Sequence, residues 1–257
     1  MGGVVVIKWG GGLITHKERL CSADSANIAA LAKVAAQTSK RLIIVHGAGS
    51  FGHLKAKNSR LSEGEIEGLD QQSAIAEVRA DMLVLNTHVM ESLARNGIDA
   101  KVFPPRNWAN GFGAEFSGAL PHHPGVTVVF GDVVADETQG FGILSGDDIV
   151  ARYSIETPGV ERLVFAIGGV DGILRVPPDE ATPDDLIEEW SQDAEFEGVH
   201  SSNIDVTGGI GLKADRAVLV ASHGIEVLMV NGEHPDRVLD AIEGRPVRGT
   251  RFPPSNS

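Results

Sequence analysis

Five short runs of apolar, mostly β-branched residues recur along the chain, with helical patterns between them. They are V-V-V-I-K-W (4–9), R-L-I-I-V (41–45), V-T-V-V-F (126–130), R-L-V-F-A-I (162–167) and I-E-V-L-M-V (225–230). None alternates strictly between polar and apolar, so each reads as a strand buried on both faces. Helical spacing is clear at 23–36, where Ile28, Leu31, Ala32 and Ala35 share a face. It is also clear at 69–95, where Ile75, Val78, Met82, Leu85 and Val89 do. Further helices are expected at 147–155, 182–190, 212–223 and 235–243. In T-P-D-D-L-I-E-E-W (182–190), Thr182 is a candidate N-cap, Pro183 suits the first turn, and Asp184 and Asp185 suit the positive helix end. K-V-F (101–103) and the final R-P-V-R-G-T-R-F offer short extended pieces, and 107–122 reads as an irregular surface hairpin. Strands and helices in alternation dictate an α/β fold, with a mainly parallel sheet covered on both faces.

Such sheets bind ligands outside the carboxyl ends of their strands. The chain has 31 glycines, and they gather at 10–12, 47–52, 140–146, 168–172 and 208–211. The clusters at 10–12, 47–52 and 168–172 directly follow strands, so they are expected to converge on one edge of the sheet. Clustered glycines after strands suit loops whose backbone approaches a ligand.

The net charge of −13 argues against nucleic acid or an anionic membrane as partner. Hydrophobic residues at 42% and charged residues at 22% are ordinary for a globular protein, and no apolar run approaches the ~20 residues of a membrane helix. The N-terminal M-G-G-V-V-V-I-K lacks the features of a signal peptide. The single cysteine, Cys21, cannot form an internal disulfide, so a cytoplasmic setting is expected.

Four loops carry chemistry. K-W-G-G-G-L-I-T-H-K (8–17) brackets three glycines with Lys8 and Lys17. An ammonium at a strand end is costly to bury without an anion beside it. H-G-A-G-S-F-G-H (46–53) follows the second strand and carries a histidine at each end, of which His46 reads as structural. Gly47, Gly49 and Gly52 match G-x-G-x-x-G, but no acidic residue ends a following strand ~20 residues on, as a dinucleotide site requires. S-G-D-D-I (145–149) puts two carboxylates at a helix start, one able to cap it and the other to orient lysines. D-V-T-G-G-I-G-L-K (205–213) runs a glycine loop into a helix with Lys213 in its first turn, a setting for phosphate. No Walker motif is present. His122 and His123 in P-H-H-P read as a surface loop.

These blocks, together with G-D-V-V (131–134), V-D-G-I (170–173) and V-N-G-E-H-P-D-R-V…V-R-G-T-R, span residues 4 to 251. In this order they resemble the amino acid kinase superfamily, and within it the isopentenyl phosphate kinases. The resemblance implies an open three-layer αβα sandwich: a single domain over 1–257, with an acceptor-binding half (about 1–158) and a nucleotide-binding half (about 159–257). It implies a homodimer, ATP and Mg²⁺, and isopentenyl phosphate as the small-molecule substrate.

Carried over residue by residue, Lys8, Lys17 and Lys213 match the lysines that hold transferring phosphates. His53 matches the histidine on the acceptor phosphate, and Asp147 the aspartate that positions lysines. Gly10, Gly11, Gly12, Gly169, Asp171, Gly172, Gly208 and Gly209 fall on the nucleotide's side. Gly47, Ala48, Gly49, Gly131, Ser145 and Gly146 fall on the acceptor's. Ile75, Val78 and Met82 on the long helix are candidates for the wall of a hydrocarbon slot, or plain core residues. Two departures stand out. Gly12 replaces a common serine, and G-G-V-D-G (168–172) replaces T-D-V-D-G, removing a carboxylate at Gly169. A kinase of another small phosphate or phosphonate, like the fosfomycin kinases, and a noncatalytic binding protein are the alternatives.

Overall fold

The computed structural model describes residues 3–191 and 209–255. In chain order these form β1 (Val4–Trp9), α1 (Gly11–Ile14), α2 (Ser25–Gln37), β2 (Arg41–His46), α3 (His53–Asn58), α4 (Gln72–Arg95), β3 (Ala100–Val102) and β4 (Val126–Phe130). There follow β5 (Asp132–Asp136), β6 (Gly140–Leu144), α5 (Gly146–Glu156), β7 (Val160–Ile167), α6 (Gly209–Ser222), β8 (Glu226–Asn231), α7 (Pro235–Glu243) and β9 (Thr250–Phe252).

The main sheet runs β3-β4-β2-β1-β7-β8-β9. Every pairing is parallel except that of β9, which runs antiparallel along β8. Strand side chains alternate between faces. On β1, Val5, Ile7 and Trp9 therefore enter one core with Ile28 and Leu31 of α2, Met82 and Val89 of α4, and Val238 and Ile242 of α7. Val4 and Val6 enter the opposite core, with Ile149 and Tyr153 of α5 and Ala217 and Val220 of α6. The three layers follow from these two cores, as the continuous apolar strands require.

The helices begin where local chemistry permits. Asp24 caps α2 by accepting from the Asn27 N–H at 2.9 Å. Ser145 caps α5 by accepting from the Asp147 N–H at 3.2 Å. The capping role allowed to one of the paired carboxylates of 145–149 thus belongs to Ser145. Pro235 opens α7, and Gly244 closes it at φ +73°.

Three local expectations need correction. The helix expected over 182–190 is a single 3₁₀ turn, Pro183–Asp185. Thr182 and Asp185 do form a reciprocal capping box. Beyond it, the backbone pairs with distant chain instead of itself. Ile187 N–H donates to Ile173 O at 2.9 Å, and Trp190 N–H to Arg251 O at 2.8 Å. Residues 132–144 form an unanticipated antiparallel hairpin, turned where Asp136 Oδ1 accepts from the Thr138 and Gln139 N–H groups. Finally, His53 opens a short helix rather than closing a loop. The segment 107–122 is irregular as expected, with one antiparallel bridge between Asn110 and Ser117.

Candidate active site

At the carboxyl edge of the sheet, each loop is stitched to the neighbouring strand. Gly10 N–H donates to Ala166 O, Gly47 to Trp9 O, Gly131 to His46 O and Gly232 to Ile167 O, at 2.8 to 3.3 Å. The convergence expected of the glycine clusters is therefore a continuation of the parallel ladders.

The loops after β1 and β2 touch backbone to backbone. A Cβ on Gly11 would fall 2.4 Å from Gly49 N, and one on Gly47 would fall 2.6 Å from Gly11 N. No side chain fits between them. Thr15, almost fully buried, braces the contact: its hydroxyl donates to Gly11 O at 2.7 Å and accepts from the Ser50 N–H at 3.0 Å. Ala48 packs at the margin of the core, and Gly168 abuts Gly12 O from the other side. Lys17 folds back over the loop, its Cε 2.6 Å from where a Cβ on Gly12 would stand. The glycine that replaces a serine thus leaves the space in which the Lys17 stem lies.

Lys8 is buried at the end of β1, where Asp147 Oδ1 meets its ammonium at 2.5 Å. Gly146 lets it pass, since a Cβ there would sit 3.3 Å from Lys8 Cε. Asp147 is fully buried, and its Oδ2 lies 3.5 Å from Lys213 Nζ. Lys213 also donates to Gly209 O at 3.0 Å across the first turn of α6. One carboxylate thereby joins a lysine from the first strand to a lysine near the far end of the chain. The neighbouring Asp148 is committed elsewhere, accepting from Arg216 Nε at 2.6 Å. Burial raises its pKa above the usual carboxylate value, against the pull of Arg216.

The two histidines of the 46–53 loop differ. His46 is fully buried, stacked on Phe130 at 5.2 Å between centroids. Its ring nitrogens lie 3.2 Å from Gly47 O and 3.3 Å from Asn86 Oδ1. Burial pushes its pKa down to about 4, so it is neutral near pH 7. His53 is half-buried at the first position of α3. Behind this loop, Ile75, Val78 and Met82 are buried in the core under α4, with Met82 Sδ 3.6 Å from where a Cβ on Gly52 would be.

On the β7–β8 side, Asp171 accepts from Arg237 Nη1 at 2.5 Å, Arg248 Nε at 2.6 Å and Asn231 Nδ2 at 3.3 Å. Partial burial works against ionisation. The hydrogen bonds from Arg248, Arg237 and Asn231 outweigh it and hold the carboxyl below its ordinary value. Asp171 therefore braces the turn. Gly172 packs against Thr250, where a Cβ would fall 2.5 Å from Oγ1. Gly208 and the D-V-T stretch before it lie outside the described residues.

Sequence reading missed Thr15, Asn86, Asn231 and Glu233. Each acts through a backbone or amide contact to a chain-distant residue, which no local pattern signals. No group of three or more His, Cys, Asp or Glu among the described residues could hold a metal ion.

The amino acid kinase family model matches residues 3–231. The chain is 30% identical to the isopentenyl phosphate kinase of Methanothermobacter thermautotrophicus, over 97% of this chain and 98% of that one. It is 30% identical to that of Thermoplasma acidophilum, over 92% and 95%. A solved isopentenyl phosphate kinase superposes with a TM-score of 0.81 at 29% identity, covering 97% of this chain and 99% of the other. Another, in its substrate complex, gives 0.78 at 26% identity with the same coverage. The family model over most of the chain and this near full-length likeness place the chain in the amino acid kinase family, within the group formed by the isopentenyl phosphate kinases.

Proposed function

We propose that the protein transfers the γ-phosphoryl group of ATP to isopentenyl phosphate, giving isopentenyl diphosphate. The observation that carries this is the Lys8–Asp147–Lys213 unit: two ammonium groups held by one buried carboxylate at the joint of the two loop systems. A hydroxyl acceptor needs a base to remove its proton. A phosphate monoester, with a second pKa near 6, is already largely ionised at pH 7. It needs charge neutralisation and an oxygen held in line with the γ-phosphorus. Asp147 is committed to two lysines and Asp148 to Arg216, so neither carboxylate is set up as a base.

In this reading Lys8 and Lys213 stabilise charge on the transferring group, and Lys17 binds the β- and γ-phosphates. His53 donates to the acceptor phosphate beside the N–H groups of Ala48 and Gly49, since that of Gly47 is held by Trp9 O. Mg²⁺, which arrives with the nucleotide, would supply charge screening of its phosphates; Asp147 is already engaged by Lys8 and Lys213 and is not offered as its ligand. A homodimer in the cytoplasm completes the proposal. No helix among the described residues is long and apolar enough to cross a membrane.

The test is ADP release with isopentenyl phosphate, dimethylallyl phosphate, fosfomycin and N-acetylglutamate as acceptors. Turnover should be highest with isopentenyl phosphate. Turnover with fosfomycin or N-acetylglutamate, and none with isopentenyl phosphate, would overturn the assignment.

A further inference from the structure

The turn after β7 lacks a carboxylate at Gly169, yet one stands beside it. Glu233, in the segment between β8 and α7, turns its Oε1 to the Gly169 N–H at 3.0 Å. The segment carrying it is fixed at several points. Gly232 N–H donates to Ile167 O at 2.8 Å, Glu233 N–H to Asn231 Oδ1 at 3.0 Å, and Asn231 Nδ2 to Asp171 Oδ1 at 3.3 Å. Gly169 has φ +80°, and a Cβ built on it would meet nothing within 4 Å. The space beside the Glu233 carboxylate is therefore open, and the carboxylate itself is exposed.

Its place along the sheet edge limits what it can receive. β8 stands two strands from β1, roughly 10 Å at ~4.8 Å per strand. Glu233 is thus displaced from Lys8, where the transferring phosphates would sit. A carboxylate repels phosphate, but it accepts hydrogen bonds from ribose hydroxyls well, as the acidic residue of dinucleotide folds does. Resting on the nucleotide assignment above, we propose that Glu233 receives the ribose hydroxyls of the bound nucleotide. It supplies from the β8–α7 segment the carboxylate that G-G-V-D-G does not carry.

The test is calorimetric titration of the full chain with ATP, 2′-deoxy-ATP and 3′-deoxy-ATP, with no acceptor present. Wild type should bind ATP about 5- to 10-fold tighter than at least one deoxy analogue, the scale of one ordinary net hydrogen bond at an exposed site. E233A should bind ATP more weakly by a similar factor and lose the preference. E233Q keeps an amide oxygen for the Gly169 N–H, so it should retain the turn and show a reduced preference. The charge control E67Q, at an exposed position remote in sequence, should behave as wild type. In steady state, KM for isopentenyl phosphate should be unchanged in E233A while KM for ATP rises. If wild type binds ATP and E233A keeps the full preference, the role of Glu233 is overturned and the kinase reading stands. If wild type binds no ATP, both fall.

Discussion

The loops after β1 and β2 and the turn after β7 lie along one sheet edge and are built on opposite principles. The first pair is fitted by shape. Gly11, Gly47 and Gly49 leave no room for a methyl group, and Thr15 closes the seam. The second is held by charge. Asp171 gathers Arg237 and Arg248, and Glu233 holds Gly169, with open space in front. A seam of backbone fixes donors in place and tolerates little. A turn held by partly exposed ion pairs can adjust to its ligand, and it answers to salt.

Asp147 ties the first of these regions to α6, through Lys8 and Lys213, so Asp147→Asn should do the most damage. It removes the carboxylate that meets the buried Lys8, which should destabilise the fold by ~3–5 kcal/mol. It should also lower kcat/KM at least ~10²-fold. Chemical denaturation and steady-state kinetics check both, and a variant of wild-type stability would remove Asp147 from the joint.

The shape-built side should also show itself through pH. His46 has its pKa lowered to about 4 in the fold, against ~6.5 in an unfolded chain. The unfolded state takes up the proton first. The His46 contribution, of order 3 kcal/mol, is therefore fully present above about pH 6.5 and lost as pH falls toward 4. Unfolding free energies measured across that window should fall in wild type and stay flatter in His46→Gln. His53→Ala, on the same loop, should spare the fold and cost at least ~10²-fold in kcat/KM, about 2.7 kcal/mol. Near-wild-type kinetics would exclude it from the reaction.

A pair of glycine variants tests the contrast directly. Gly11→Ala must push apart two backbones and should destabilise by ~1–3 kcal/mol, with a large loss of turnover. Gly169→Ala meets only the strain of a left-handed backbone, ~1–2 kcal/mol, and should leave isopentenyl phosphate turnover largely intact. Equal losses in both would erase the distinction. The smallest effect is expected at Asp171: its pairs with Arg237 and Arg248 are each worth under ~1 kcal/mol. The cost of Asp171→Asn in thermal unfolding should shrink further between low and high salt.

Much of the fold was readable because the strands are continuous apolar runs, a pattern few other arrangements can bury. Residues 182–190 were misread because a good capping box starts a turn but does not extend it. Ile173, Arg175 and Arg251 compete for the next backbone groups, and all three lie outside the reach of a local helical pattern. The β5–β6 hairpin hid behind glycines at 140 and 142 and strands of mixed character. In the site, the lysines and Asp147 stood in recognisable blocks. Glu233 stood in one too, V-N-G-E-H-P-D-R-V, but without a role, because its partner is a backbone N–H 64 positions away.

The lysine pair on Asp147 also bears on how ligands arrive. Two ammonium groups against one carboxylate leave a single net positive charge in a chain whose total is −13. An anion approaching from solution first meets a repulsive field. It feels the lysines only within the ~8 Å over which charges act at physiological ionic strength. Encounter is therefore slowest in dilute buffer and eased by added salt, the reverse of an enzyme that draws in anionic ligands with a basic surface.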